Sequence, residues 1–577
     1  MRETIKKQIK AALERVALTP RSPASLRDEV GDTWQVELTK DFSHGDYASN
    51  VALQIAGRTG GRSLEIAEKL LPYLGNDPDG YIEKVEIAGP GFLNFWLSDK
   101  YLESAIVNCT SQIQKFGWNR ELAGKKVMVE YAQPNPFKQF HIGHLMGTVI
   151  GECYARLYEA AGATVLRANY QGDIGVHVAC AVWGIRETKE VMPAEGAELP
   201  EKTAFLGKAY AFGAKAYKDD PEAKKEIDEF NKKLYQRSDK DLNNIYETGK
   251  RWSLEHFDTI YKKLDTHFDY LFFESEMAPK GLEIIAAHRE VFEDSQGAVV
   301  FPGEKYGLHT RVFITSQGLP TYEAKELGLN KYKFETERLD LSVVETANEI
   351  NDYFKVILKV LELTLPEVAK RTKHISHGML RLPAGKMSSR TGNVITGESL
   401  IADVEKIALE KNPDPKVAAK VAIAAIKYSI LKQQPGKDII FDFGKSLSLE
   451  GDSGPYLQYA YARARSVLEK AQVPSTKAQT SSNFQNLKME ERGKKLMRLI
   501  ARWPEVLREA QDKLAPQVIC TYLIEIAGEF NSFYASNQII NPNDRQTTET
   551  RLALAAALAQ TLSNGLWILG IPVLEHM

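Results

Sequence analysis

Two short stretches carry residues whose types and spacing suit chemistry on phosphates. The first is His141-Ile142-Gly143-His144. A spacing of three sets both imidazoles on one face of a helical turn. At a helix start, backbone N–H groups and the positive end of the dipole point the same way, and Gly143 has no Cβ to hold off a ring or a phosphate. Such a turn fits a nucleotide whose phosphates gain charge during reaction. With His 11 and Gly 40 in 577 residues, independent draws would give the pattern roughly 0.01–0.02 times per chain. Other nucleotidyl transferases use a similar signature, so the turn alone implies adenylyl transfer on a Rossmann-like sheet and little more.

The second stretch runs Gly385-Lys386-Met387-Ser388-Ser389-Arg390-Thr391-Gly392-Asn393, downstream of Pro383. It is a polar loop with glycine at both ends, a composition that moves readily. Lys386 and Arg390 can neutralise a leaving pyrophosphate, while the serines and backbone N–H groups bind its oxygens.

These residues need elements to hold them. The apolar run Val127 to Tyr131 reads as a buried strand. Pro134 and Pro136 then forbid an early helix. A helix is expected from near His141, with Leu145, Val149, Cys153 and Leu157 on its apolar stripe and a stop at Gly162. Thr164 to Tyr170 supplies a second strand. The order strand, loop, helix, strand is a βαβ unit with a ligand-binding helix N-terminus.

With both signatures in this order, the chain resembles the class I aminoacyl-tRNA synthetases, whose hallmarks are HIGH and KMSS. Several stretches are similar to the arginyl-tRNA synthetase family in particular: GDYASNVAL (45–53), AGPGFLNFWLS (88–98), VEYAQPNPFKQFHIGHL (129–145), LPTYEAKELG (319–328), HGMLRLPAGKMSSRTGNV (377–394) and EGDSGPYLQYAYARARSVL (450–468). They extend from end to end. The resemblance implies an arginine–tRNA ligase that forms arginyl-adenylate from L-arginine and ATP, then charges the 3′-terminal ribose of tRNA(Arg). It implies Mg²⁺ carried on the ATP phosphates without a dedicated protein metal site, and a cytoplasmic monomer.

The implied fold is α/β. A Rossmann-like catalytic domain at 119–400, with a helical insertion at about 185–290, lies between an N-terminal α+β domain at 1–118 and a C-terminal all-α anticodon-binding bundle at 401–577. In the first domain, a helix over 2–17 carries Ile5, Ile9, Leu13 and Val16 on one face. Strand-like Trp34 to Leu38, helical Tyr47 to Gly57, helical Leu64 to Leu74, and a strand pair at Val85 to Ile87 and Phe92 to Leu97 follow. After 401 the pattern is helical almost to the end, and 473–486 reads as a flexible loop.

Carried over residue by residue, the resemblance places His141, Gly143, His144, Lys386, Met387 and Ser388 on ATP, with Gly378 and Met379 meeting the adenine through backbone groups. A guanidinium taken out of water needs carboxylates in fork geometry. Glu130 and Asn135 match the family positions around the substrate's α-amino group, and Tyr322 and Glu326 those on the guanidinium side. Phe92 and Asn94 match the contact to the corner of the tRNA, and Tyr459 and Arg463 lie on a helix of the anticodon-binding bundle. The chain departs from the family at Glu326, usually Asp, at Glu349 and Ile350, where Gln is common, and at Ser389, usually a second lysine. Lys138, three residues before His141, is placed to supply the missing cation. Two other readings stay open: a sister class I synthetase for another amino acid, and a non-catalytic tRNA-binding paralogue.

Composition narrows the class. At 43% hydrophobic and 26% charged, the chain is that of a globular protein, and a net charge of −2 offers no global basic field for nucleic acid. The four cysteines, Cys109, Cys153, Cys180 and Cys520, show neither zinc spacing nor a disulfide framework and suit a reducing cytosol. No secretory signal and no run of 18 apolar residues is present.

Overall fold

The computed structural model describes residues 1–17, 33–75, 77–112, 115–381, 396–472 and 489–577. The first module opens with α1 (Arg2–Ala17), whose Ile5 and Ile9 are fully buried. Its antiparallel sheet has the order β1 (Val36–Leu38), β2 (Tyr47–Ser49), β4 (Phe92–Leu97), β3 (Ile82–Ala88). Helices α2 (Val51–Thr59), α3 (Ser63–Leu70) and α4 (Asp99–Ser111) complete the module. The helix expected from Tyr47 therefore starts four residues late. Tyr47, Ala48 and Ser49 are drawn into strand pairing on both sides, with Leu38 and Phe95 opposite Tyr47. A three-residue strand between two partners leaves no periodic signal in sequence.

The centre of the molecule is a five-stranded, wholly parallel sheet, β12-β11-β5-β6-β7, formed by β5 (Lys126–Glu130), β6 (Thr164–Gln171), β7 (Tyr270–Phe273), β11 (Leu341–Ala347) and β12 (Thr372–His377). The chain winds outward from β5 to β6 and β7, then returns to place β11 on the other side of β5. The crevice between the carboxyl ends of β5 and β11 is thus the topological switch point, where open parallel sheets bind ligands. Helix α5 (Ile142–Ala160) crosses from β5 to β6 and is buried along nearly its whole length. Gly162, with φ 89°, turns the chain into β6.

Between β6 and β7 lie α6 (Val176–Glu187), α7 (Leu199–Asp219), α8 (Pro221–Gln236) and α9 (Lys240–Lys263), closed around their own apolar core of Phe205, Leu206, Ile227, Phe230 and Trp252. The range 185–290, read from sequence as one helical insertion, also contains β7, a strand of the catalytic sheet. The four helices before β7 form the insertion proper, and the helix that follows β7 belongs with the strand. After β7 come α10 (Glu274–Ala287), a small antiparallel sheet of β8 (Glu293–Ser295), β9 (Ala298–Phe301) and β10 (Arg311–Ile314), then α11 (Tyr322–Thr336) and, beyond β11, α12 (Asn351–Thr364).

Strand β13 (Leu380–Arg381) pairs in parallel with β14 (Ile439–Ile440), across α13 (Gly397–Lys411) and α14 (Pro415–Leu431). The C-terminal bundle comprises α15 (Gly454–Lys470), α16 (Glu491–Lys513), α17 (Pro516–Ser536) and α18 (Arg545–Ile568). One continuous apolar cluster joins α1, α5 and the bundle. All four cysteines are buried and free. Among the described residues, no helix is long and apolar enough to cross a membrane. The stretch 473–486 lies outside the described residues.

Candidate active site

The loop from β5 to α5 is held in a strained path. Ala132, Gln133 and Phe137 all have positive φ, 75°, 53° and 68°, at a cost of about 1–3 kcal/mol each for non-glycine residues. Tertiary bonds hold it there. Asn169 Oδ1 accepts from the Gln133 amide at 3.1 Å, and Ser253 Oγ accepts from the Phe137 amide at 2.9 Å. Strain held this way is characteristic of functional sites.

The loop delivers His141 as the N-cap of α5. Its Nδ1 accepts from the Gly143 and His144 amides at 3.1 and 3.4 Å, while its own amide donates to His144 Nδ1 at 3.2 Å. The rings stack with centroids 3.5 Å apart. This corrects two expectations. Those first-turn N–H groups are capped by imidazole rather than turned toward a phosphate. The space over Gly143 belongs to the His141 ring, since a Cβ there would lie 2.9 Å from His141 Cε1. Because both Nδ1 atoms accept, each neutral ring carries its proton on Nε2. Burial, reinforced by the positive charge of Lys138, pushes both imidazoles down, His144 strongly. Two neutral N–H donors result, beside a lysine that supplies the charge. Lys138 is partly buried over the Tyr210 ring, with Nζ 5.5 Å from its centroid, and burial lowers its pKa too.

A cavity of about 580 Å³ opens beside this loop, lined by Gln133, Asn135, Tyr170, Glu274, Arg311, Tyr322, Glu323, Glu326, Glu349, Ile350 and Tyr353 among others. Of the four candidates for the amino-acid pocket, Asn135, Tyr322 and Glu326 meet there. Asn135 Oδ1 is fixed by the Gly172 amide at 2.9 Å. Glu130 does not line the cavity. It is fully buried, ion-paired with Lys333, and bonded to Gln133 Nε2 at 3.0 Å. The lysine comes from α11, which sequence spacing does not bring to β5, and it leaves no free carboxylate for an α-ammonium.

Four carboxylates face the cavity, and their pairing decides what it can hold. Lys325 Nζ neutralises Glu274 at 2.7 Å, and Arg311 reaches Glu323 at 3.4 Å. Glu326 and Glu349 have no ion pair among the described residues. Burial, with Glu130 close by, pushes the Glu326 carboxyl up to about 8. Glu274 was not anticipated from sequence. It follows the apolar run Tyr270–Phe273, at the carboxyl end of a sheet strand, but reading 185–290 as an insertion concealed that position.

The backbone expected to meet adenine is already engaged. The Met379 amide donates to Asp438 Oδ1 at 2.9 Å, and its carbonyl accepts from the Ile439 amide at 2.8 Å. Gly378 is needed for close approach, since a Cβ there would lie 2.2 Å from the Lys437 carbonyl oxygen. The β13–β14 pairing consumes these groups, a long-range contact that a short motif does not reveal. Lys386, Met387 and Ser388 lie outside the described residues, as does Ser389.

Of the RNA-contact candidates, Phe92 is 38% exposed but Asn94 only 4%, caught between Ala48 and Glu86 of the neighbouring strands. The ring is open to a base and the amide is not. Tyr459 and Arg463 form one half-buried cluster. Arg463 stacks 4.5 Å over the Tyr459 ring, bonds its hydroxyl, and donates to Asn531 Oδ1 at 2.7 Å.

Comparison with known proteins agrees with this architecture. Residues 3–97 match the arginyl tRNA synthetase N terminal domain, 106–443 the catalytic domain of tRNA synthetases class I (R), and 457–577 the DALR anticodon binding domain. The catalytic match spans more than half of the chain. The chain belongs to the arginyl-tRNA synthetase family. Arginine–tRNA ligase from Alcanivorax borkumensis is 30% identical, with both chains covered in full, and that from Clostridioides difficile is 31% identical over 96% of each. The Thermus thermophilus arginyl-tRNA synthetase structure superimposes with a TM-score of 0.79 at 24% identity, covering both chains completely. That likeness extends the family assignment to the fold as a whole: N-terminal domain, parallel-sheet catalytic domain and helical bundle.

Proposed function

We propose that the chain is an arginine–tRNA ligase that activates L-arginine with ATP and transfers it to tRNA(Arg). One observation carries the choice of amino acid: a cavity at the switch point with two carboxylates left unpaired. L-Arginine brings two cations, the guanidinium and the α-ammonium, and a carboxylate that is consumed in the reaction. The two charges match, and a neutral side chain would leave a buried carboxyl without a partner.

In the first step, an arginine carboxylate oxygen attacks the α-phosphorus of ATP. The bond to the bridging oxygen breaks and pyrophosphate leaves with its electron pair. The Nε2–H groups of His141 and His144 donate to phosphate oxygens as charge builds, and Lys138 supplies a cation at the same edge. Mg²⁺ accompanying ATP would neutralise charge on the triphosphate. Lys386 and Ser388 act on the leaving pyrophosphate. In the second step, the 2′-hydroxyl of the terminal ribose attacks the adenylate carbonyl and AMP departs. Phe92 stacks on an exposed base at the tRNA corner, and Tyr459 and Arg463 serve the anticodon end.

ATP–pyrophosphate exchange with each amino acid, with and without total tRNA, tests the reading. Exchange with arginine alone, dependent on tRNA, is the expected result. Exchange with a different amino acid would retain the mechanism and refute the arginine assignment, whereas no exchange under any condition would refute both.

A further inference from the structure

Glu345 and His377 are buried groups that the mechanism above does not use. They stand on adjacent parallel strands near the carboxyl edge of the sheet, 1% and 4% exposed. Neither carboxyl oxygen of Glu345 has a well-formed hydrogen bond among the described residues, and Oε1 faces His377 Nε2 at 3.3 Å. The other ring nitrogen, Nδ1, lies 2.5 Å from the Gly378 carbonyl oxygen. A carbonyl only accepts, so Nδ1 carries the ring proton and Nε2 is left as an acceptor. Burial raises the Glu345 carboxyl well above its usual range and lowers His377, and both shifts favour the arrangement in which the carboxyl holds the remaining proton toward Nε2.

The pair lies directly beneath the helix that carries the two histidines. A Cβ on Gly147 would lie 3.1 Å from Glu345 Oε2 and 3.7 Å from His377 Nε2. On its far side, the relay ends at Gly378, which is packed against Lys437 and Asp438. A chain of contacts therefore runs from α5 through Glu345 and His377 to the Gly378–Met379 backbone.

We propose that Glu345, with a proton directed at His377 Nε2, and His377 act together as a positioning pair, tying the Gly378 backbone to the underside of α5 and so seating the histidine turn on the nucleotide side of the site. The proposal rests on the functional reading above for ATP as the ligand, but not on the identity of the amino acid. Glu345 touches Gly147 rather than the reacting atoms, so it acts through His377. An isosteric amide can donate to Nε2 as the protonated carboxyl does, and an alkyl side chain cannot.

The test compares E345Q, E345L and H377L. E345Q should keep the KM for ATP in pyrophosphate exchange within about threefold of wild type. E345L and H377L should raise it tenfold or more, while the KM for arginine stays within twofold. Rescue by the amide and the split between the two substrates would not arise from a general loss of packing. ATP binding measured directly by calorimetry should follow the same pattern, and it separates failure of this pair from failure of the arginine assignment. In ¹⁵N-histidine spectra of the wild-type protein, which require no variant to fold, His377 should be the Nδ1–H tautomer between pH 6 and 8. An Nε2–H tautomer, or an E345L protein that binds ATP as wild type does, would overturn the proposal.

Discussion

In the proposed arginine pocket, Glu326 would carry both specificity and pH dependence. Its carboxyl sits at the wall of the cavity, bonded to Asn330 Nδ2 at 2.9 Å, and is pushed up to about 8 by burial and by Glu130. An incoming guanidinium requires the ionised form, so binding expels the proton. The KM for arginine should therefore fall as pH rises from 6 to 8, by up to about tenfold per unit, and level off above 8. E326Q should raise that KM on the order of 100-fold, about 2.7 kcal/mol, and flatten the profile; steady-state kinetics across this range checks both. The sign for stability is opposite. Because the folded chain holds this proton to higher pH than the unfolded chain, the contribution is fullest below the ordinary glutamate range and is lost as pH rises through about 8.

At the scale of elements, the first turn of α5 is a unit made by its two imidazoles. His141 caps the helix through Nδ1, which directs Nε2 outward, and the ring fits only because position 143 lacks a Cβ. Replacing a good N-cap contact costs on the order of 1 kcal/mol. G143A should thus lower the melting temperature only slightly, yet reduce pyrophosphate exchange tenfold or more by displacing the ring. A G143A enzyme with wild-type exchange would mean that the ring does not need this seat. The insertion shows the same close packing. A Cβ on Gly184 of α6 would lie 2.0 Å from the Ala209 carbonyl oxygen, and one on Gly213 of α7 would lie 1.9 Å from that of Cys180. These two helices approach backbone to backbone.

At the scale of the molecule, Lys427 of α14 joins three parts of the chain. Its ammonium donates to the Leu264 carbonyl, just after α9, and to the Gly570 carbonyl beyond α18, each at 2.6 Å. Arg156 of α5 reaches the Trp567 carbonyl at 2.8 Å and the Asp265 carboxylate at 2.9 Å in the same region. Burial, with Arg156 close by, pushes Lys427 down to about 7. Between about pH 7 and the ordinary lysine value, the unfolded chain binds a proton that the folded chain does not, so stability rises with pH there. The slope from this group approaches about 1.4 kcal/mol per unit. K427M should remove that slope and lower the melting temperature at pH 9, where two carbonyls lose their donor; melting curves at pH 7 and 9 read both effects.

Much was legible because it is local. The strand, the proline-broken loop, the histidine turn and the helix from 142 to 160 follow from periodicity and residue type over a few neighbours, and the end-to-end signatures identify the family and its three-part architecture. Tertiary structure alone decided where charge and donors are spent. Glu130 and Glu274 are both glutamates at strand ends, yet Lys333 removes the first from the cavity while the second, held by Lys325, remains in its wall. The Met379 backbone is taken by Asp438 and Ile439, and the first-turn amides by His141. The physical reason is the same in each case. A buried polar group must find a partner, and when that partner comes from a distant element, only the closed fold shows which group has been satisfied and which remains open to a substrate.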